Sequence, residues 1–310
     1  MYFEESVIAP LQKNLIKLFI TNQVLLNFIL AEKMGTEFRM ILVIFPIVLL
    51  TLLSGCIIDD IDIGDPEQND TQDNHIIIGG NISIACWNLQ IFGPSKASNE
   101  TLLDYYAEKL DDYDIFIVQE IRDASGTAIE TFAEGFPEYQ YIISNRAGQS
   151  SSKEQYAVFY NNRSTLVDSY DYQAEYQEDM QRPPLKIIFN SNNWTFTLYT
   201  IHTQPDNVTG ELSLLETIVG NPAGDVIILG DLNADGNYYD EYNIIHFTDW
   251  NWAITNDIDT TVATSDNTYD RIIFNDATGN NFLSVGVMDD VDKEQSDHYL
   301  VYAVFNPELP

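Results

Sequence analysis

Five hard oxygen donors stand where apolar runs begin or end. Asn88 closes ISIACWN, Glu120 closes DIFIVQE, Asp231 and Asn233 close DVIILGDLN, and Asp297 precedes HYLVYAVF. Carboxylate and amide oxygens suit Mg2+, Mn2+ or Ca2+ rather than zinc. The chain has four histidines. Two of them, His202 at the end of TFTLYTIH and His298 next to Asp297, fall at the same kind of place. Imidazole is the side chain best matched to moving protons near neutral pH. Oxygen ligands with a pair of imidazoles fit metal-assisted hydrolysis of a phosphate ester. Singly, each residue has a plainer reading. An asparagine after a strand is usually a turn residue, and His75 and His246 read as solvated or structural. The recurrence of the pattern along the chain is what points to chemistry.

Such groups need a scaffold, and strand ends with their loops are where a rigid scaffold presents them. Strand-like runs cover residues 82–88, 114–120, 139–143, 156–160, 185–189, 195–202, 225–231, 269–274, 282–287 and 298–305. Several are apolar on both parities, as strands buried between layers must be. Helical stripes run over 98–110, 126–134 and 209–219. The first places Leu102, Leu103, Tyr106 and Leu110 on one face, behind Ser98 as N-cap. Many strands with few helices predict an α/β sandwich, two sheets face to face with helices outside. No repeat or linker interrupts residues 81–310, which read as one catalytic domain.

Composition bounds the rest. The chain has 310 residues, 45% apolar and 12% aromatic, enough for a sizeable core and too much for a disordered or collagen-like chain. Acids outnumber bases 48 to 14, a net charge of −34. That excludes a general basic coat for nucleic acid, so any anion site is local. Two cysteines exclude a disulfide-dense scaffold and a cysteine-rich zinc site. Cys86, inside ISIACWN, reads as a buried inert thiol.

The front end reads as an address. ILVIFPIVLLTLL at residues 41–53 falls short of the roughly 20 residues of a comfortable membrane span. Lys33 and Arg39 precede it and Leu53-Ser54-Gly55-Cys56 follows, which is the order of a secretory signal. The ending resembles a lipobox. It predicts lipidation at Cys56 and a lipid anchor on the outer face of the cytoplasmic membrane, or secretion. Residues 1–56 are therefore extension and signal, with Met34 an alternative start, and residues 57–80 a solvated acidic tether. Asn-x-Ser/Thr sequons at Asn69, Asn81, Asn99, Asn162, Asn193 and Asn207 fit an exported chain. Residues 1–55 hold four acids and four bases, which leaves 48 − 4 = 44 acids and 14 − 4 = 10 bases beyond them. Self-repulsion at that density is screened by salt, so a salty exterior is expected.

ISIACWNLQIFG, YDIFIVQEIRD, SSSKEQYAVFY, LYTIHTQP, VIILGDLNAD, TTVATSDNTYDRIIF and SDHYLVYAVF together resemble the endonuclease/exonuclease/phosphatase superfamily. GDLN and SDH are shared across it, while QEIRD, KEQY and TYDRI resemble its deoxyribonuclease I branch. The resemblance spans nearly all of residues 82–305 and implies a four-layered α/β/β/α sandwich. It implies that Glu120 and Asn88 hold one Mg2+ or Mn2+ ion, and that Asp231, Asn233 and Asp297 hold or complete a second position. His202 paired with Glu154, and His298 paired with Asp270, would be general acid and base in an order left open. Arg122 would enter the DNA minor groove, and Arg182 and Tyr269 would contact phosphate. Arg271 lies in a motif too, as a phosphate-site cation or a structural ion pair. The chain departs from the branch in places. Ser152 stands where a tyrosine packs on a sugar, Leu300 where a proline is common, and Asn267 and Gly236 where cysteines pair. Structural Ca2+ would compensate, at Asp259 with Thr260, Thr261 and Ser265, or in the acidic loop of Asp171, Glu175, Glu178 and Asp179.

The leading expectation is a surface-tethered, metal-dependent endonuclease on DNA. The rivals are a lipid-headgroup phosphodiesterase or phosphatase of the same fold, and a non-catalytic surface module. No feature points to a protein partner, and a monomer is expected.

Overall fold

Side chains alternate across a pleated strand, and here both faces are apolar. In Ile82–Phe92 (β1), Ile82, Ile84 and Cys86 join one buried cluster while Ala85, Trp87 and Leu89 join another. In Ile115–Ile121 (β2), Ile115 and Ile117 go one way, Phe116 and Val118 the other. A strand of this kind must be covered on both sides. The computed structural model describes residues 80–309 and shows what covers them. Residues 1–56, Cys56 among them, and the tether up to residue 79, with Asn69 and His75, lie outside the described residues.

Two six-stranded sheets face each other. The first runs in the order β11 (Phe282–Met288), β12 (Leu300–Phe305), β1, β2, β4 (Gln155–Tyr160), β3 (Gln140–Ile143). The second runs β5 (Thr165–Asp171), β6 (Leu185–Ser191), β7 (Trp194–Thr200), β8 (Asp225–Asp231), β10 (Asp270–Phe274), β9 (Asn251–Trp252). β1 and β2 pair in parallel, as do β7 and β8, and every other pairing is antiparallel. Each parallel pair needs a crossover. Pro94–Ala97 (α1) and Glu100–Leu110 (α2) supply the first, and Val208–Val219 (α5) the second. With Thr127–Ala133 (α3), α2 covers the outer face of the first sheet, burying Tyr106, Leu110 and Phe132 against Trp87, Phe116 and Phe159. α5 covers the second sheet with Leu212 and Leu215 against Ile228 and Ile273. The layer between the sheets holds an apolar cluster that runs from Ile84 and Ile117 to Phe196, Ile227 and Ile272. Each such side chain, fully buried, contributes about 1.5–3 kcal/mol. The result is the expected four-layered α/β/β/α sandwich.

Details differ from the sequence reading. α2 starts at Glu100, and its cap is Asn99, whose side chain accepts from Leu102 N–H, rather than Ser98. β5, missing from the predicted strands, is an exposed edge strand. Its residues TLVDSYD carry no buried parity, so no apolar run announces it. Gln173–Tyr176 (α4) and Asp276–Gly279 (α6) are single turns. Cys86 is buried, and burial pushes its thiol well above the usual range, as an inert core thiol requires. Among the described residues no helix is long and apolar enough to cross a membrane.

Candidate active site

The polar residues continue the apolar rows that face the layer between the sheets. Asn88 follows Ile84 and Cys86 on that parity, Gln119 follows Ile115 and Ile117, and Asp231 follows Ile227 and Leu229. His202 follows Phe196 and Leu198, while Glu154 precedes Tyr156 and Asp270 precedes Ile272. β4 and β10 run opposite to β2 and β8, so all these positions arrive at one end of the sandwich. The period of two therefore aims them at one another.

Asp231 Oδ2 is the meeting point. It accepts from Asn88 Nδ2 at 3.0 Å and lies 3.2 Å from His202 Nε2 and 3.5 Å from His298 Nε2. Asn88 Nδ2 also reaches Glu120 Oε1 at 3.4 Å, which ties the two carboxylates together. His298 Nδ1 bonds Asp270 Oδ2 at 2.7 Å. His202 Nδ1 lies 3.2 Å from Glu154 Oε1, close but out of line for a hydrogen bond. Asn233 donates from Nδ2 to Thr203 O at 3.1 Å, and its backbone N–H bonds Asp231 Oδ1. Asp297 is half-exposed at the open edge, with Oδ1 3.8 Å from His298 Nε2. Tyr269 lays its ring 6.5 Å from that of His298 and 5.5 Å from that of Tyr238.

Electrostatics follow from this crowding. Burial alone would lower the His298 imidazolium, but Asp270, Asp231 and Asp297 outweigh it and carry the pKa up to about 10. Burial alone would raise Glu154, yet His202, Arg182 and Arg122 hold it down at about 2. Asp231 is likewise lowered: desolvation opposes this, and both imidazoles and the Asn88 amide prevail. Two groups of side chains bring ligand atoms within 4.8 Å of one another, Glu120 with Glu154 and His202, and Asp231 with Asp270 and His298. Asp270 Oδ1 is buried without a hydrogen-bond partner, whereas both oxygens of Glu154 face cations, Oε1 lying 2.8 Å from Arg182 Nε and Oε2 3.5 Å from Arg122 Nε. A buried carboxylate oxygen without a partner is a donor suited to a hard divalent ion.

Residues 85–298 match the Endonuclease/Exonuclease/phosphatase family. The chain belongs to that family. Within it the chain falls in the deoxyribonuclease I-like branch. Deoxyribonuclease-1 of Homo sapiens is 29% identical over 255 residues, covering 71% of this chain and 90% of that protein. Deoxyribonuclease-1 of Oryctolagus cuniculus is 28% identical over 259 residues, 72% of this chain and 92% of that one. Among solved structures, D. rerio TDP2 complexed with single strand DNA product superposes with a TM-score of 0.55 at 16% identity, covering 73% of this chain and 99% of that chain. A Bacteroides thetaiotaomicron mannosyl-6-phosphatase gives 0.56 at 17%, covering 72% and 98%. These two share the fold.

The basic residues of the family motifs are more tied down than the sequence implied. Arg122 Nη2 meets Glu120 Oε2 at 2.9 Å, its Nε lies 3.5 Å from Glu154 Oε2, and its Nη1 donates to Ser152 Oγ at 3.0 Å. Arg182 is buried, with Nε donating to His202 O and Nη2 to Thr203 O, and neither bond uses Nη1. Arg271 is buried on the far face of β10, bonding the carbonyls of Ile254 and Ala234, so it is structural. His246 is structural too, paired with Glu216 at 2.8 Å.

Several positioning residues went unread in the sequence. Gln119 is fully buried and spans the two sheets, accepting from Asp231 N–H and donating to Thr200 Oγ1 and Ile201 O, each at 3.0 Å. Its signal is a lone amide on the inner parity of an apolar strand. Tyr156 OH donates to Arg182 O and accepts from His202 N–H. Glu211, fully buried in α5, accepts from Gln181 and Gln204 N–H and so fixes the segments bearing Arg182 and His202. Ser296 Oγ donates to Asn88 O at 2.5 Å and Lys96 Nζ to Leu89 O and Gln295 O at 2.7 Å, joining the Asn88 turn to the Asp297–His298 turn. The loop proposed for calcium buttresses the site. Asp259 Oδ1 accepts from Thr261 N–H, Thr261 Oγ1 and Asn267 N–H, and Thr260 Oγ1 accepts from Tyr269 and Asp270 N–H. In the acidic loop, Asp171 caps turns by accepting from Asn145 and Gln173 N–H, and Glu175 accepts from Tyr170. Gly236 and Asn267 do lie side by side: a Cβ on Gly236 would meet Asn267 Oδ1 at 2.9 Å.

The backbone bends where ligands are presented. Gln90, Ile91, Glu120 and Asn233 all have positive φ, from 47° to 60°. Asparagine tolerates this, whereas for an ordinary residue the left-handed region costs about 1–2 kcal/mol. A bulge between Asn88 and Phe92 turns Gln90 N–H onto Asn88 Oδ1 at 2.9 Å and Ile91 N–H onto Glu120 Oε2 at 2.8 Å.

Proposed function

We propose that the chain is an exported, divalent-metal-dependent endonuclease that hydrolyses DNA phosphodiesters. Family membership supports a phosphodiesterase-type hydrolase, and the deoxyribonuclease-1 relatives support DNA as its substrate. The observation that carries the reading is the convergence of both imidazoles, each paired through Nδ1 with its own carboxylate, on Asp231. Glu120, with Asn88, is the first ligand position for Mg2+ or Mn2+, and Asp231, Asn233 and Asp297 are the second. A bound ion of this kind supplies positive charge against the charge that grows on phosphate oxygens in the transition state.

The chain's own groups do the rest. Asp270 fixes the His298 ring by its hydrogen bond at Nδ1 and Glu154 faces Nδ1 of His202 at 3.2 Å, leaving each Nε2 to face the phosphate. His298, whose imidazolium form the carboxylates of Asp270, Asp231 and Asp297 favour, can offer charge and a proton to an ester oxygen. His202 stands across Asp231 Oδ2 from it, so the two rings can give and take a proton across one phosphate. Arg122 and Arg182 flank Glu154 and bring positive charge into an otherwise acidic chain, with Tyr269 beside the site.

The test is plasmid DNA with Mg2+ or Mn2+, with and without chelator. Nicking that the chelator stops supports the reading. Intact plasmid, with hydrolysis of a choline or inositol phosphate instead, would reverse it in favour of a same-fold phosphodiesterase or phosphatase. One observation favours that rival: Arg122 is turned inward onto Glu120 and Glu154, beside the short Ser152. Export rests on the Leu53–Cys56 sequence, and loss of membrane-bound lipid label in Cys56→Ser tests the anchor. Structural Ca2+ at Asp259 and Thr261 belongs to the same proposal.

A further inference from the structure

Ile91 is strained for no reason that its backbone or the core supplies. It is β-branched and has φ 56°, a conformation in which Cβ crowds the next carbonyl oxygen and which glycine or asparagine adopts far more readily. The bulge explains why the backbone is bent there, since Ile91 N–H is delivered to Glu120 Oε2 at 2.8 Å. Glycine or asparagine would deliver the same N–H with less strain. Packing does not explain the side chain either. Ile91 is 57% exposed and belongs to none of the three buried clusters. Strain of this kind persists where the residue has a use.

Its neighbours show what the use is. Phe92 O, next in the chain, accepts from Arg122 N–H at 2.8 Å. The Glu120 oxygen that Ile91 N–H binds also meets Arg122 Nη2, at 2.9 Å. The Ile91 backbone N–H and the Arg122 guanidinium therefore share one carboxylate oxygen of Glu120, and the turn that joins them carries an exposed aliphatic side chain. A nucleic-acid strand presents an anionic phosphate and then the C–H face of a sugar, which that pair of side chains matches.

We propose that Ile91 is a substrate-binding residue whose side chain packs on a sugar of the bound strand beside the Glu120–Arg122 pair. The inference rests on the DNA reading above and adds a specificity residue to it. Ile91→Asn and Ile91→Gly remove both the aliphatic surface and the strain, and Ile91→Val restores most of the surface. Steady-state rates are measured on duplex DNA and on bis(4-nitrophenyl) phosphate, with thermal midpoints alongside. For the Asn and Gly variants, KM for DNA rises about fivefold to tenfold, and selectivity for DNA over the small diester falls at least about threefold. The Val variant stays within about twofold of the parent. The Asn variant melts no lower than the parent, because the strain is gone. A DNA KM within about twofold of the parent in both folded variants overturns the proposal. So does an equal loss on both substrates, which would make Ile91 a mere support for Glu120. If the parent cleaves the small diester and leaves DNA intact, the DNA reading itself fails and takes this inference with it.

Discussion

Gly230→Ala is the sharpest perturbation of the link between fold and chemistry. Gly230 has φ 148°, and a Cβ there would sit 2.0 Å from Ile201 O and 2.6 Å from Gln119 Nε2. A carbon normally comes no closer to a carbonyl oxygen than about 3.3 Å. The β8 backbone must therefore withdraw by more than an ångström from the segment that carries His202. Overpacking of this size costs about 1–3 kcal/mol. Pulling Gln119 off Ile201 O or Asp231 N–H leaves a buried polar group unsatisfied, at about 1–3 kcal/mol more. The expected destabilisation is about 2–6 kcal/mol, read as a lower urea midpoint with the slope unchanged. Asp231, the next residue, moves with the strand, and misplacement by an ångström costs on the order of 100-fold in turnover. Gly230→Ala/Gln119→Ala stays impaired, because the nearer clash is with a backbone carbonyl. A single mutant within about 0.5 kcal/mol and twofold in rate would show that the two sheets are not clamped at this point.

Other outcomes follow from the same geometry. His202→Ala and His298→Ala should each lower turnover by about 100-fold or more while circular dichroism stays native, and unchanged rates in both would remove the imidazoles from the mechanism. Glu154 titrates at about 2 in the folded chain against about 4.3 when unfolded, so it contributes about 3 kcal/mol of stability above pH 4.3 that is lost as pH falls through 2. Glu154→Gln should accordingly cost most at neutral pH and converge with the parent in strong acid, as denaturation at several pH values would show. Raising salt from about 0.05 M to about 1 M should raise the melting temperature of so acidic a chain. A flat profile would count against the salty exterior.

What was legible in the sequence was whatever local chemistry marks. A carboxylate or imidazole closing a run that is apolar on both parities is conspicuous, so Glu120, Asp231 and His202 stood out before any fold was known. The pairing of His298 with Asp270 came from resemblance rather than from spacing, because the partners are far apart in the chain and meet only when β10 and β12 face each other. Gln119 shows in the sequence only as a lone amide on an apolar parity, and its role does not, because its three hydrogen bonds go to the other sheet. The helix cap slipped by one residue because Ser98 and Asn99 are both good caps, and only the geometry selects between them. β5 carries no periodic signal, because at this sheet edge Leu166 packs on the core while Val167 and Tyr170 are exposed. The family resemblance assigned Arg122 and Arg182 to substrate, and the folded chain adds the carboxylates and carbonyls that occupy much of each guanidinium.

The shared parity of the reacting side chains with the inter-sheet rows makes turnover a gauge of strand alignment. Slip any one of β1, β7, β8 or β10 by a single residue and its reacting group swings round into the helical layer. The circular dichroism spectrum would hardly notice. A compact intermediate with correct secondary structure but shifted ladders would be spectroscopically near-native and catalytically silent. Recovery of activity during refolding would then time the last step, when the ladders lock, separately from collapse.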